Sequence, residues 1–510
     1  MIPKITVICG LQFTQCKERP WLLESAAVLS RLSPLYRGRN MKRTGVALIA
    51  LALSLGSLAA RGESLRDIYE LALENDAQLK AEEATYLANK ESENLGLSAL
   101  LPQVGANYSR SGSDTDTDSE TFLVDPDEGI VAVDSTTSND IISEGFQVSL
   151  SQALFDLPAW FSFKSGKELS KQAEATFAGN QQNLIVRVVE AYLAVLRAQD
   201  NLEASKAQER AFERQLEQTQ QRFEVGLIAI TDVYEAQAAY DLSQVNRIVD
   251  ENNVAVALEQ LSVLTGQTHS NLHILKEEFE INPPEPNDRA SWVEFALENN
   301  FALQAARYGE EAARQNSKAN ALEHAFTVSG NYSYTDDETD GRRSITPTTQ
   351  FESSPYNSTD GDRWELRVDV PLYSGGAISA NRRKSAQEFN ASRENRINLG
   401  RNTVTNTRSL HMTVVSDVSR VKARKQSIVS SKSALDATQA GYEVGTRNVV
   451  DVLNAQNTLF SSQRDYANSR YDYIINMMRL KEQAGLLSPE DVNSLDSYLI
   501  TPPPPAAGSK

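Results

Sequence analysis

The chain carries one segment twice. Arg222–Gln244, RFEVGLIAITDVYEAQAAYDLSQ, returns 219 residues later as Gly441–Gln463, GYEVGTRNVVDVLNAQNTLFSSQ, with nine of 23 positions identical and in register. Ala72–Asn75 matches Ala296–Asn299, and Asn107–Ser109 matches Asn331–Ser333, both at an offset of 224. A repeat of about 220 residues is far longer than the period of a solenoid. Each copy is therefore half a molecule, and the fold has to be built from two similar halves.

The net charge is −18. Residues 1–60 hold eight Lys/Arg and two Asp/Glu, so the remainder carries 42 basic and 66 acidic residues, a net of −24. Such a surface argues against a nucleic-acid backbone as partner. Met41-Lys42-Arg43 opens a basic head, Val46–Leu55 is an apolar run too short to span a bilayer, and Ser57-Leu58-Ala59 offers a small-residue cleavage site. Residues 41–60 thus read as a secretory signal peptide. Residues 1–40 then read as an over-long gene start, the alternative being an unusually long leader. Cys9 and Cys16 both precede the signal, so no disulfide framework is expected after it. No run of 18 apolar residues follows it either, so any membrane crossing has to be made by strands.

Hydrophobic spacing divides the rest. Leu65, Ile68, Leu71, Leu79 and Tyr86 recur at helical intervals, predicting a helix over Ser64–Leu100. After Pro102 the period becomes two: Val104, Ala106 and Tyr108, then Phe146, Val148 and Leu150. The second copy repeats the plan with Phe326, Val328, Tyr332 and Tyr334, then Trp364, Leu366, Val368 and Val370. Each copy is expected to hold two strands of about 8–10 residues around a polar loop of about 30, Gly112–Ser143 and Thr335–Asp362. Alternating strands joined by long polar loops are the weak signature of an outer-membrane barrel; soluble hairpins fit the same pattern. Four strands cannot close a barrel without open edges, so in lipid several chains would have to share one. Three chains give twelve strands, enough to begin leaving a lumen.

Each strand pair precedes a proline-free helical stretch, Ala159–Phe223 and Ile378–Tyr442, roughly 95 Å long at 1.5 Å per residue. Both end at a Val-Gly turn, Val225-Gly226 and Val444-Gly445. Return helices follow at Thr231–Leu264 and Val450–Gln483, closed by Gly266 and Gly485. Tyr234, Tyr240 and Leu242, with Leu453, Leu459, Tyr466 and Tyr473, would supply the seams of these two hairpins. So narrow and polar a hairpin needs lateral neighbours to bury a core. The divisions expected are 61–280 for the first repeat, 281–290 for a proline-rich linker, 291–495 for the second repeat and 496–510 for a disordered tail.

Specific segments resemble the TolC family of outer-membrane efflux proteins. They are Leu101-Pro102-Gln103, Ser151–Asp156 (SQALFD), Gln215–Phe223 (QLEQTQQRF), Val225-Gly226-Leu227 with Ile230–Val233 (ITDV), and Gly441–Arg447 (GYEVGTR) with Val449–Leu453 (VVDVL). The resemblance spans Gly62–Val492. It implies an α+β membrane protein, with a long α-helical hairpin barrel and a four-strand contribution per chain to a shared trimeric transmembrane β-barrel. The implied molecule is a homotrimer set in outer-membrane lipid of a Gram-negative bacterium and extending into the periplasm. It would be the passive exit duct of a tripartite efflux pump or type I secretion system, working with a periplasmic adaptor (membrane fusion) protein and an inner-membrane pump or ABC exporter.

The resemblance also assigns roles. Thr231 and Asp232 on the first hairpin and Tyr442 and Arg447 on the second match the gate latch, with Tyr442 donating to Asp232 and Arg447 to Thr231 or a nearby carbonyl. Asp451 matches the aperture carboxylate, and Asn454 stands where the family often has a second Asp. Val225, Gly226, Leu227, Val444, Gly445 and Thr446 match the adaptor-docking tips. No enzyme motif is evident, and no cofactor or metal is expected; His269 and His273 lack a third ligand. A secreted coiled-coil stalk or adhesin without conductance is the alternative reading.

Overall fold

The computed structural model describes residues 62–346 and 353–502. The signal peptide and the gene-start reading lie outside the described residues, as does the end of the expected tail. Ten helices are described: α1 (Leu65–Asn75), α2 (Ala77–Lys90), α3 (Ser92–Ser98), α4 (Leu157–Glu224), α5 (Ile230–Thr265), α6 (Arg289–Asn299), α7 (Phe301–Ala321), α8 (Ala377–Glu443), α9 (Val449–Gln483) and α10 (Pro489–Asp496). The strands are β1 (Gln103–Asp125), β2 (Gly129–Phe155), β3 (Ile274–Leu275), β4 (Thr327–Thr346), β5 (Asn357–Asp369) and β6 (Leu499–Ile500).

The four long helices lie within a residue or two of their sequence-based bounds, because long unbroken periodicity leaves little freedom. The segment expected as one helix from Ser64 to Leu100 is instead three. Asp76 leaves the helical conformation, caps α2 through a bond from Leu79 N–H (3.1 Å), and pairs with Arg187 at 2.7 Å. That buried ion pair outweighs one more turn of local helix.

The main sheet runs β1-β2-β4-β5, all antiparallel. Register lines up an apolar band across it: Val104 opposite Leu150, Leu150 opposite Tyr332, Tyr332 opposite Trp364. The next row on the same face is Ala106, Val148 and Tyr334. Trp364 is 79% exposed, as only a side chain awaiting a non-aqueous neighbour should be. Phe155 and Phe326 stack at 4.9 Å near one end of the strands. Among the described residues, β1 and β5 have one neighbour each, so both edges stand open.

Among the described residues, most of both expected polar loops is strand. β1 and β2 run 23 and 27 residues and turn only at 126–128. The acidic Ser/Thr stretch continues the ladder, with Thr136 donating to Asp118 (2.7 Å) and Ser138 to Asp116. Hydroxyls opposite carboxylates satisfy both strands, and the β-branched Thr favours the extended backbone. This is a period-two pattern without an apolar face, which composition alone reports as loop.

The core is a belt around the middle of α4. Leu184, Val188, Val189, Tyr192, Leu193 and Leu196 pack against Leu65, Ile68 and Ala72 of α1, Leu261 of α5, Ile474 and Leu480 of α9 and Val492 of α10. Fully burying each such side chain contributes about 1.5–3 kcal/mol. The stretch between the repeats takes part: β3 pairs with β6, so Leu499 and Ile500, placed in the tail on sequence grounds, form a strand. Glu63 bridges to Leu272, and the Tyr192 hydroxyl donates to His273 O at 2.8 Å.

The two repeats meet where α4 runs antiparallel to α9. Five polar side-chain contacts cross this joint among the described residues: Asn183 to Glu482 (3.2 Å), Glu190 with Arg479 (2.7 Å), Arg197 with Asp472 (2.5 Å), Tyr471 to Asp200 (2.6 Å) and Gln208 to Asn457 (3.2 Å). Glu190 and Arg197 are seven apart on one helix, Asp472 and Arg479 seven apart on the other, the spacing of a two-stranded seam. Burial holds the Asp200 and Glu482 carboxyls above their ordinary values. Leu453 and Tyr473 are buried as expected of a hairpin seam, whereas Tyr234 and Leu242 face outward at 67% and 61% exposure. The outgoing helix takes its seam from other positions, leaving that side of α5 bare.

Candidate functional site

The two hairpins end in turns of one design. Gly226 and Gly445 have φ of +74° and +76°. Leu227 N–H bonds to Arg222 O (2.9 Å) and Gly226 N–H to Phe223 O (2.9 Å); Thr446 N–H bonds to Gly441 O (2.8 Å) and Gly445 N–H to Tyr442 O (3.1 Å). This Schellman arrangement satisfies the last helical carbonyls. A Cβ at either glycine would meet open space, so it is the left-handed backbone alone that selects glycine. Val225, Leu227 and Val444 project outward around the glycines. Two apolar knobs thus stand at the ends of the two hairpins.

Beyond the shared turn the copies part. In the second, Thr446 Oγ1 and Arg447 N–H also reach Gly441 O, at 3.0 and 3.2 Å. Asn448 caps α9 and forms a capping box with Asp451: Asp451 N–H donates to Asn448 Oδ1 (2.8 Å), and Asn448 N–H to Asp451 Oδ2 (3.4 Å). In the first, Leu227, Ile228 and Ala229 hold those places, and α5 starts without a side-chain cap. An Asn cap contributes about 1 kcal/mol, so the second tip is the firmer one.

The expected latch pairs are not joined within the chain. Thr231 is exposed and Asp232 partly so, and neither side chain bonds to a described residue. Arg447 lies 3.8 Å from Asp451 rather than on Thr231. At that exposure the pair is worth about 0–1 kcal/mol. Tyr442 turns inward instead, into a cluster with Phe212, Val449, Val452 and Leu453. It is 5% exposed, and no described residue hydrogen-bonds to its buried hydroxyl. Its aromatic ring anchors the tip, which outweighs satisfying one polar atom in the lone chain. Asp451 is partly exposed and serves first as a capping residue; Asn454 is exposed one turn on.

Sequence reasoning passed over Arg222. Its guanidinium stands 4.6 Å from the centroid of the Tyr442 ring, tying the end of α4 to the end of α8. A cleft of ≈630 Å³ opens beside it, lined by Gln218, Gln221, Arg222, Val225, Gln439, Tyr442 and Glu443. The signal was available in the repeat: Arg222-Phe223 in one copy faces Gly441-Tyr442 in the other. Cation and best ring therefore sit on opposite hairpins.

His269 bridges Glu63 (2.7 Å) and Thr265 (2.6 Å) in the belt. Among the described residues no three His, Cys, Asp or Glu gather as a metal site, and no helix is long and apolar enough to cross a membrane.

Comparison with known proteins places this geometry. The family model for outer membrane efflux protein matches residues 68–267 and 292–486, one match per repeat. The outer membrane protein TolC of Vibrio cholerae serotype O1 is 33% identical over 463 residues, which cover 90% of this chain and 99% of that protein. The alkaline protease secretion protein AprF of Pseudomonas aeruginosa is 29% identical, covering 92% and 94%. Among solved structures, the outer membrane protein VceC of Vibrio cholerae superposes with a TM-score of 0.65 at 15% identity, over 82% of this chain and 96% of that one. A four-stranded sheet with open edges, two hairpins of matched length and a family match in each half lead to one statement: the chain belongs to the outer membrane efflux protein family.

Proposed function

We propose that the chain is the passive exit duct of an efflux pump or type I secretion system, closed and opened at the hairpin tips. It is an outer-membrane protein of a family of channels rather than enzymes. One observation carries the reading. The same chain bears an in-register apolar band on an open-edged sheet and two glycine-turned helical tips ending in exposed Val225, Leu227 and Val444. The first suits lipid and the second a partner. Open edges at β1 and β5 favour closure by further copies, and three copies make a twelve-stranded barrel with a lumen. Residues 61–280 and 291–495 then act as two arms of each subunit.

The family's description as outer membrane efflux protein and a relative named for alkaline protease secretion support both uses. Val225, Gly226, Leu227, Val444, Gly445 and Thr446 form the face offered to a periplasmic adaptor, which brings an inner-membrane pump or ABC exporter. Thr231, Asp232, Tyr442 and Arg447 are the latch of the closed assembly. The orphan Tyr442 hydroxyl is a donor in want of an acceptor, and a buried unpaired hydroxyl costs about 1–3 kcal/mol. Asp451 sets charge at the aperture, with Asn454 beside it. In planar bilayers the purified protein should conduct, and Tyr442→Phe with Arg447→Ser should raise that conductance. A soluble, non-conducting rod would sink the duct; unchanged conductance in the double variant would sink the latch.

A further inference from the structure

β1 is an edge of the main sheet over its full 23 residues, whereas β5, the other edge, has only 13. A strand of that length laid against β1 leaves ten of its residues unpaired. The helices adjoin Gln103 and Asp369, so the ten lie at the far end, at 116–125. An open edge is a template for another strand, and proteins usually blunt it with proline, lysine or a bulge. Gln103–Asp125 contains neither proline nor lysine. It also pairs with β2 residue for residue as far as the turn, without a bulge.

The side chains along this edge follow a pattern. Asp116, Asp118, Glu120, Phe122 and Val124 share one face, because side chains alternate along a strand. All five are exposed, Phe122 at 67% and Val124 at 80%, and Ile130 opposite Val124 is 75% exposed. Thr117 and Ser119 turn hydroxyls to the other face. Asp116 and Asp118 accept from Ser138 and Thr136 and keep their charge. Glu120 stands directly opposite Asp134, a like-charge pair that weakens the ribbon unless a cation lies beside it. Val124 is twenty residues beyond Val104, about 66 Å along the strand at about 3.3 Å per residue. Even at a tilt of about 45° that outruns a hydrocarbon core about 30 Å thick, so lipid does not cover this end.

Charge selects the occupant. The same ribbon of a second copy would set Asp116, Asp118 and Glu120 against their own counterparts, and like charges across strands repel. A cationic strand meets three carboxylates instead. We propose that residues 116–125 of β1 pair, outside the cell, with an extended cationic segment of another polypeptide, which adds to this edge as a strand. In the antiparallel sense used throughout the sheet, alternate residues of that segment are two apolar ones opposite Val124 and Phe122, then three basic ones opposite Glu120, Asp118 and Asp116. Between them, small hydroxyl residues suit Thr117 and Ser119. The proposal goes beyond the duct reading and takes from it only the placing of this end outside the cell.

The test uses the full chain purified in detergent and the fluorescent peptide Val-Thr-Val-Thr-Lys-Thr-Lys-Thr-Lys, with binding read by anisotropy. The peptide should bind, and Lys-Thr-Val-Thr-Lys-Thr-Val-Thr-Lys, of the same composition and charge, should bind about tenfold more weakly. Equal binding of the two would mean general attraction to an acidic surface and overturns the proposal. Alternate N–H groups of a strand point to opposite edges. Methylating the threonine amides in one peptide and the remaining amides in another should therefore abolish binding once and spare it once; equal behaviour overturns strand addition. Asp116→Asn with Asp118→Asn, and separately Phe122→Ser, should each weaken binding about tenfold. Binding indifferent to both excludes this edge, and a peptide bound by monomers but shut out of multimers gives the edge to a neighbouring copy. Protein that binds the peptide yet does not conduct in bilayers overturns the duct and leaves the edge standing; conducting protein that ignores the peptide overturns the edge alone.

Discussion

Replacing Arg222 by Ala tests whether a ring and a cation hold the two hairpins together at the tip. The guanidinium lies 4.6 Å from the Tyr442 centroid, and that ring is almost wholly buried. Exposed cation–π contacts contribute about 0.5–1 kcal/mol and desolvated ones about 2 or more. With its far side open to the cleft, this one should contribute about 1 kcal/mol per copy. In a three-copy assembly that opens as a unit, three such losses make about 3 kcal/mol, roughly 150-fold in the opening equilibrium. Single-channel recording should then show Arg222→Ala dwelling far longer in high-conductance states. Tyr442→Leu should act similarly through the same contact, so the double variant should be non-additive. Tyr442→Phe keeps the ring face and with it the Arg222 contact, and so isolates the hydroxyl. Additive effects of Arg222→Ala and Tyr442→Leu would refute the stacking argument. So would an Arg222→Ala channel that gates like the parent.

Three further outcomes follow from the geometry. Gly445→Ala forces a side chain into a left-handed backbone at about 1–2 kcal/mol, and Gly445→Asn should cost less; thermal unfolding in detergent should rank them in that order, and equal losses would mean that space rather than φ selects the glycine. Asp200, held above its ordinary value of 3.8 by burial, binds its proton more tightly folded than unfolded. That contribution to stability is fully present below 3.8 and is lost as pH rises through the raised value, so Asp200→Asn, which can still accept from Tyr471, should be the more stable protein at pH 7 and gain nothing below pH 3.8. A parent and variant with parallel pH profiles would contradict this. Asn454→Asp should strengthen block by multivalent cations in bilayers by adding a carboxylate one turn from Asp451; an unchanged block would place residue 454 away from the axis.

The helical half of this fold was legible because its pattern is long. Sixty-eight residues of unbroken period in α4 fix the ends to within a residue or two. The matched Val-Gly pairs named their own turns, since only a left-handed cap needs glycine there. The strands were half legible: rows such as Val104 and Trp364 alternate visibly, but the Asp/Ser/Thr continuation pairs through hydroxyls and carries no apolar signal. The break at Asp76 and the pairing of Leu499 with Leu275 depend on partners 111 and 224 residues away, which no local reading reaches. At the tip, residue identities were readable and their directions were not. Nothing in the string GYEVGTRN says that Tyr442 turns into a pocket between two hairpins and that Arg222 covers it.

The belt around α4 has a consequence for how such a chain can arise. Glu63 bridges to Leu272, and Leu275 pairs with Leu499, so the entry to the first repeat, the passage between repeats and the exit from the second meet at one place. Each repeat therefore leaves and returns to the same spot, like a petal on a receptacle. Units whose two ends coincide can be copied head to tail with almost no connecting chain. The same property should let the polypeptide be reopened near Pro283-Pro284 and resealed between Gly62 and Thr501 with the same elements in place. In that sense the molecule has a seam order but no obligatory starting point.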